Sequence, residues 1–271
     1  MRVRRFALGV LLAALPTGAW AQEVATPAAS AVKPAAPAPV SARVWEGRHA
    51  DFEAFLRTSP FTKIEDVPIG VTRPKRGFFP PGGLADSAAW KVIPSGRPAG
   101  YWESYKSEIA AYELDKMFGL NMVPPVVERR WKGDIGAAVL WLTPVRAWRD
   151  VAPLPKPEKW NIQAVRMKMF DNLICNKDRN QGNLLVDGDW NLFLIDHSRA
   201  FIEDKKLVVS MQRIDKDLWE KMQKLDEPTL KAAIGKWVDG RAIRALLQRR
   251  NAMAKVVDEL VEKWGEAAFA K

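Results

Sequence analysis

The chain of 271 residues has few of the side chains that form disulfides or soft-metal sites. Cys175 is the single cysteine, and His49 and His197 are the two histidines. An intramolecular disulfide is therefore impossible. Cysteine-based and multi-histidine zinc sites are also excluded, because each needs several such ligands. The stability of the fold must come from its hydrophobic core.

Apolar runs long enough to span a bilayer are also absent. A short apolar segment at residues 6–15 follows three arginines and precedes Ala19-Trp20-Ala21, which has small residues where a signal peptidase reads them. We expect residues 1–21 to be a cleaved secretory signal peptide. An uncleaved membrane anchor is the disfavoured alternative, because Pro16 and Gly18 interrupt a stretch that is already short. The mature protein is expected to be periplasmic or secreted, with no integral membrane span.

Acidic residues are outnumbered. The chain has 42 Lys and Arg against 32 Asp and Glu, and a net charge of +7 remains once the three arginines of the signal peptide are removed. This balance suits an anionic ligand such as a nucleotide, an acidic peptide or a phospholipid headgroup. The basic residues are dispersed and no nucleic-acid-binding module has its signature here, so nucleic acid is not an expected partner.

The order of predicted elements indicates an α+β fold of two lobes. Residues 22–43, rich in Ala and Pro, predict an extended linker. Strands and one helix are then expected at residues 67–79, 88–93, 104–118, 123–127 and 137–142. Ser104 is the expected N-cap of that helix, and Gly119 its C-terminal stop. A helix at residues 160–175, a hairpin with an Asp187-Gly188 turn and further helices follow. The lobes are a small antiparallel-sheet N-lobe at residues 44–143 and a mostly helical C-lobe at residues 144–271.

The candidate chemistry lies in a polar loop between the helix at residues 160–175 and the hairpin. Asp178 and Asn183 are five residues apart in this loop, and Asp196 follows 13 residues after Asn183 at the end of the hairpin. Folding the hairpin back brings the three side chains together. Carboxylate and amide oxygens are the donors that Mg²⁺ and Mn²⁺ prefer, so the spacing predicts a site for such a cation.

This spacing, Asp-x4-Asn followed 13 residues later by Asp, resembles the catalytic loop and metal-binding aspartate of protein kinases. The Asp178-Arg179 pair before Asn183 is similar to the catalytic loop of phosphoinositide kinases. LIDHSRAF, residues 194–201, is similar to the corresponding segment of type II phosphatidylinositol 4-kinases. The local sequence around Asp178 and Asp196 therefore resembles that of atypical kinases.

A second resemblance lies in the first half of the chain. SEIAAYELD, residues 107–115, followed by Gly119 and Val123-Pro124-Pro125, resembles the Golgi secretory-pathway kinases that phosphorylate secreted proteins. HipA-type kinases are similar in their arrangement of these motifs. The resemblance covers about residues 67–201 and implies a two-lobed protein-kinase-like fold that uses ATP with Mg²⁺ or Mn²⁺.

The resemblance implies a role for each matching residue. Lys91 would hold the α- and β-phosphates, and Glu108 would pair with Lys91 or help to coordinate metal. Asp178 would orient the acceptor hydroxyl and take its proton, while Asn183 and Asp196 would hold the cation against the phosphates. Four side chains of a basic turn would cover the phosphates: Thr72, Arg73, Lys75 and Arg76.

The chain departs from these families at several positions. Asn180 stands where phosphoinositide kinases have histidine, His197-Ser198 replaces Phe-Gly, and neither a G-x-G-x-x-G loop nor a long activation segment is present. Three functions stay open: a phosphotransferase acting on a hydroxyl of a protein, lipid or small molecule, a pseudokinase that binds without turnover, and an enzyme that transfers AMP. A P-loop NTPase is disfavoured because no G-x-x-x-x-G-K-[ST] motif occurs.

Overall fold

An antiparallel sheet of five strands forms the first part of the fold. The computed structural model describes residues 41–67 and 75–270. The strands are β1 (Lys63–Asp66), β2 (Lys75–Phe78), β3 (Ser87–Lys91), β4 (Val126–Trp131) and β5 (Asp134–Leu140). Their order across the sheet is β1-β2-β3-β5-β4, with every neighbouring pair antiparallel. Helix α1 (His49–Thr58) precedes the sheet, and helix α2 (Tyr105–Phe118) lies between β3 and β4 in the chain.

Helix α2 begins and ends where the sequence predicts. The Ser104 side chain accepts a hydrogen bond from the Lys106 N–H, which satisfies one of the free donors at the helix N-terminus. Gly119 ends the helix with φ +68°, a left-handed conformation that glycine adopts without steric cost. These local signals fix the length of α2, and therefore the position of Glu108 in its first turn.

The second part of the fold is mostly helical. Its helices are α3 (Trp148–Val151), α4 (Lys159–Ile174), α5 (Lys216–Gln223), α6 (Glu227–Ile234) and α7 (Gly240–Trp264). A small antiparallel sheet joins β6 (Arg146–Ala147), β7 (Leu184–Val186) and β8 (Leu192–Leu194) in that order. The α+β prediction, with a small antiparallel sheet followed by a mostly helical lobe, is confirmed. The boundary between residues 143 and 144 stays a prediction.

Two apolar clusters hold the hairpin β7–β8 against both parts of the fold. Leu194 packs in one buried cluster with residues of α2 and α4, such as Ile109 and Met169. Phe193, the preceding residue, packs with Trp45 and with Leu140 of β5 in a second cluster. Because strand side chains alternate between faces, the hairpin contributes to both clusters.

The segment before α1 is also part of the fold. Trp45 is fully buried, with its ring 5.7 Å from that of Phe193. The Ala42 N–H donates to Asp187 Oδ2 over 3.0 Å, and the Ser41 hydroxyl donates to the same oxygen over 3.3 Å. These contacts begin before residue 43, where the predicted linker ends.

Several predictions fall on residues outside the described part. The signal peptide at residues 1–21, most of the linker and the side chains of Thr72 and Arg73 lie there. Within residues 41–67 and 75–270, no helix combines the length and hydrophobicity that crossing a bilayer requires.

Candidate active site

A cleft of about 870 Å³ opens between the five-stranded sheet and the β7–β8 hairpin. Five of the residues predicted from the sequence line it: Arg76, Lys91, Asp178, Asn183 and Asp196. They come from β2, β3, the polar loop and the end of the hairpin. The fold therefore gathers residues that are up to 120 positions apart in the sequence around one cavity.

Lys91 is held between two carboxylates. Its Nζ lies 2.5 Å from Glu108 Oε1 and 3.0 Å from Asp196 Oδ1, and the Lys91 and Glu108 side chains are 9% and 2% exposed. Burial alone would lower the pKa of Lys91. The charges of Asp196 and Glu108 and their hydrogen bonds outweigh it, so the pKa is raised and the ammonium keeps its proton.

Glu108 connects α2 to the segment that carries Asp196. Its Oε2 accepts a hydrogen bond from the His197 N–H over 3.0 Å, while its Oε1 faces Lys91. Burial tends to raise the pKa of Glu108, but the charge of Lys91 and the neighbouring His197 side chain outweigh burial, so the pKa is lowered and the carboxylate stays ionised. The predicted pairing of Glu108 with Lys91 is thus present, and both oxygens of Glu108 are occupied by protein donors.

Asp196 and Asn183 each keep one oxygen available to a ligand. Asp196 Oδ1 accepts hydrogen bonds from Lys91 and the Ser198 hydroxyl, whereas its Oδ2 accepts none from the described residues. The Asn183 side-chain N–H donates to the Asp178 carbonyl over 2.9 Å, and this fixes the amide with its oxygen free of described donors. Two oxygens of the type that hard cations prefer are therefore left open at the cleft.

These two oxygens fit a cation that is bound together with phosphate. Residues 41–67 and 75–270 contain no group of three or more His, Cys, Asp or Glu side chains that could hold a metal on its own. Mg²⁺ in phosphate-binding sites usually takes one or two protein carboxylates and completes its shell with substrate phosphates and water. The donor set here, one carboxylate and one amide, suits that arrangement.

Asp178 is engaged by an arginine that the sequence did not point to. Arg199 donates to Asp178 Oδ2 over 3.0 Å and to Glu103 Oε1 over 3.0 Å. Its guanidinium also lies 3.7 Å from the centroid of the Tyr101 ring. The Asp178 side chain is 35% exposed at the cleft, with Oδ1 free of described donors. Asp178 can therefore still accept a proton from a bound hydroxyl.

A second arginine ties the polar loop to the hairpin. Arg179 forms a two-pronged ion pair with Asp171 of α4, with distances of 2.9 and 3.0 Å. It also donates to the carbonyls of Asn183 and Ile195, over 3.0 and 2.8 Å. The motif Asp178-Arg179 was recognised in the sequence, but the structural role of Arg179 could not be read from it.

The basic turn is only partly described. Lys75 is exposed, and Arg76 faces the cleft. Neighbouring strand residues point to opposite faces of a sheet, so these two adjacent basic residues cannot act on one ligand from the same side.

Comparisons of the sequence with known proteins give one distant relative. No family model matches the chain. Protein Rv2133c of Mycobacterium tuberculosis is 26% identical over 132 residues, covering 37% of this chain and 48% of the relative. The chain thus spans about half the length of the curated relative that it matches.

Solved kinase structures are similar over most of the chain. The Golgi casein kinase with Mn/ADP bound superposes with a TM-score of 0.58 and 14% identity, over 81% of this chain and 77% of the other. Hydra Fam20 with sugar superposes with a TM-score of 0.64 and 13% identity, over 85% and 98%. The protein therefore has an atypical protein-kinase-like fold, as the sequence predicted.

Proposed function

We propose that this protein is an ATP- and divalent-metal-dependent phosphotransferase that acts on a hydroxyl group of an exported protein, lipid or small molecule. The observation that carries the proposal is the buried contact of Lys91 with Glu108 and Asp196, next to Asp178 and Asn183 in one cleft. A neighbour of the same fold was solved with Mn/ADP, which supports the choice of nucleotide and metal.

The chemistry follows from the position of each group. Lys91 offers a fixed positive charge to the α- and β-phosphates, and the paired carboxylates keep it protonated. A cation held by Asp196 Oδ2 and Asn183 Oδ1 would supply further neutralisation of the phosphates. Asp178 orients the acceptor hydroxyl and takes its proton as the hydroxyl oxygen bonds to the γ-phosphorus and the bond to ADP breaks.

A pseudokinase is the second candidate, and the Arg199 contact favours it. Arg199 occupies one oxygen of Asp178, so an acceptor hydroxyl can reach only the other oxygen of this carboxylate. The scarcity of ATP outside the cytoplasm also favours binding without turnover, if residues 1–21 direct export as we propose. AMP transfer on the same fold is the third candidate, and the mass added to a modified product separates it from phosphate transfer.

The first experiment measures nucleotide binding through stability. The thermal midpoint of the purified protein is recorded with ATP, with and without Mg²⁺ or Mn²⁺, for the wild type and Asp196→Ala. In the presence of metal, ATP at about 100 times its dissociation constant should raise the free energy of unfolding of the wild type by roughly 2.7 kcal/mol, which raises the thermal midpoint. Asp196→Ala should lose this increment, whereas Asp189→Ala, on the turn of the same hairpin and outside the cleft, should keep it.

A second variant separates an enzyme from a binding module. Asp178→Asn should keep the metal-dependent stabilisation by ATP but lower turnover by roughly 10²–10⁴-fold, because it removes the general base. A wild type that binds ATP without any turnover would support the pseudokinase. A well-folded wild type that no nucleotide stabilises would contradict both functions.

A further inference from the structure

Arg76 is fixed at one end of the cleft by residues around it. In the register of the sheet Arg76 lies opposite Ala89 of β3, and both side chains line the cleft. The Arg76 Nε donates to the Ser87 hydroxyl over 2.9 Å. Its guanidinium carbon lies 4.4 Å from the Trp141 ring and 4.8 Å from the Phe78 ring. The guanidinium is thus oriented before any ligand binds.

This position is far from the end of the cleft that holds Lys91. Ser87 begins β3 and Lys91 ends it, and four residues of a strand span about 13 Å. The Trp141 N–H donates to the Ser87 carbonyl over 3.2 Å, so the segment after β5 is tied to the same end of β3. A guanidinium bound to Ser87 therefore lies away from Lys91 and Asp196, where the proposed function puts the phosphates.

The walls of the cleft between these two ends are apolar. They are formed by Ala89, Val139, Leu140, Leu142, Leu185 and Ile195. Such a slot accepts a flat apolar ring and offers nothing to a charged phosphate. The terminal nitrogens of Arg76 donate to no acceptor in the described residues, although arginine carries donors in a fixed planar fork.

We propose that Arg76, supported by Trp141, recognises the base of a purine nucleotide and does not cover the phosphates. The inference rests on the proposed function, and it replaces the sequence-based expectation for Arg76. The free N–H groups of Arg76 donate to acceptor atoms at the edge of the base, and the ring lies in the apolar slot. Arginine is suited to this task because its fork is rigid and tolerates aromatic neighbours.

Two probes separate recognition of the base from recognition of phosphate. Dissociation constants are measured by calorimetry for Mg-ADP and for Mg-tripolyphosphate, which has no base. Arg76→Ala should weaken ADP binding by about tenfold or more, the effect expected for a hydrogen bond to a charged group, and should leave tripolyphosphate unchanged. Arg130→Ala, an exposed arginine of β4 outside the cleft, should change neither.

Arg76→Lys guards against a trivial loss of folding. It keeps the charge and most of the side chain but loses the fork, so it should weaken ADP and leave tripolyphosphate unchanged. Equal weakening of both probes by Arg76→Ala would assign Arg76 to the phosphates and overturn the inference, as would unchanged ADP binding. If the folded wild type binds neither probe, the proposed function itself fails, and this inference fails with it.

Discussion

Two buried carboxylates on the same helix differ in their surroundings. Glu108 and Asp115, seven residues apart in α2, are 2% and 0% exposed. Glu108 faces Lys91, and its pKa is lowered. Asp115 Oδ1 accepts the N–H groups of Met122 and Val123, each over 3.0 Å, while its Oδ2 has no partner among the described residues. Burial outweighs those hydrogen bonds and the charge of Arg43, and raises the pKa of Asp115 to about 7.

The difference shows that burial alone does not decide the charge of a carboxyl group in this fold. Asp115 ties the chain after α2 back to the helix and needs no permanent charge for that. Glu108 is ionised because a cation is buried with it. At the positions of Lys91 and Glu108, a well-packed apolar pair would often make the fold as stable as the buried ion pair does, or more stable. The presence of Lys91 and Glu108 is therefore better explained by a task in the cleft than by stability.

The largest effect on stability is expected from removing Glu108, the carboxylate that is buried with a cation. Glu108→Ala leaves Lys91 buried with Asp196 alone, and should lower the free energy of unfolding by about 3–5 kcal/mol, the usual loss when one partner of a buried pair is removed. Urea unfolding measures this loss. Glu113→Ala is the matched control, since Glu113 pairs with Lys116 on the half-exposed face of α2 and should cost under about 1 kcal/mol. Equal losses in the two variants would contradict the assignment of a buried ion pair.

Removing Asp115 should lower the free energy of unfolding by less than removing Glu108 does, and should leave the cleft intact. Asp115→Ala removes the acceptor of two buried N–H groups, and a loss of about 1–3 kcal/mol is expected. Nucleotide affinity should be unchanged, because Asp115 does not line the cleft. Urea unfolding and calorimetry on the same sample measure both quantities. A loss of affinity as large as that of Asp196→Ala would show that the two ends of α2 are not independent.

The pH dependence of stability sharpens the comparison, because the two groups act in opposite directions. The pKa of folded Asp115, about 7, lies above its ordinary value of 3.8, so its contribution is complete below about pH 3.8 and is lost as pH rises to 7. The pKa of Glu108 is lowered from 4.5, so its contribution is present above that pH and is lost as pH falls below it.

Asp115→Asn isolates the first of these contributions. Relative to the wild type, the variant should become more stable as pH rises from 4 to 8, since it lacks the carboxyl group that ionises in the unfolded wild type but keeps its proton in the folded state. Urea unfolding at a series of pH values gives the difference. Parallel curves for the two proteins would mean that Asp115 is ionised throughout this range.

The smallest effect is expected at the exposed edge of the cleft. Arg199→Ala breaks ion pairs with Asp178, whose side chain is 35% exposed, and with the nearly buried Glu103. Because Arg199 itself is in contact with water, each pair is expected to contribute about 1 kcal/mol or less. The free energy of unfolding, measured with urea, should therefore fall by about 1 kcal/mol, well below the loss in Glu108→Ala. A loss of 3 kcal/mol or more would contradict this prediction and show that Arg199 is required for the stability of the fold.

Much of the fold could be predicted because its signals are local. Ser104 and Gly119 bound α2, and Asp187-Gly188 marks the β7–β8 hairpin. Helix α1 was missed because only Phe52 and Leu56 of its ten residues are buried, and Arg48, at its N-cap position, provides no side-chain cap. A short helix with a weak apolar stripe and no cap resembles a loop in the sequence.

The candidate site was predictable where spacing reflects contact. Lys91 and Glu108 are separated by 17 positions and Asn183 and Asp196 by 13, and these separations led to side chains that the structure brings to one cleft or one ion pair. Arg199 was missed because one of its partners, Glu103, is 96 residues away. No local pattern encodes such a contact. The functional roles of all these residues stay predictions until the variants are measured.

The attachment of the N-terminal segment has a mechanical consequence. Ser41 and Ala42 are hydrogen-bonded to Asp187, and the side chain of Asn191, just before the second strand of the hairpin, also donates to Asp187. Tension applied to the chain at Ser41 therefore reaches the β7–β8 hairpin first, and the second strand of that hairpin leads directly to Asp196. A protein pulled through its N-terminal side loads the hairpin beside its own cleft before the five-stranded sheet, with which Trp45 shares an apolar cluster.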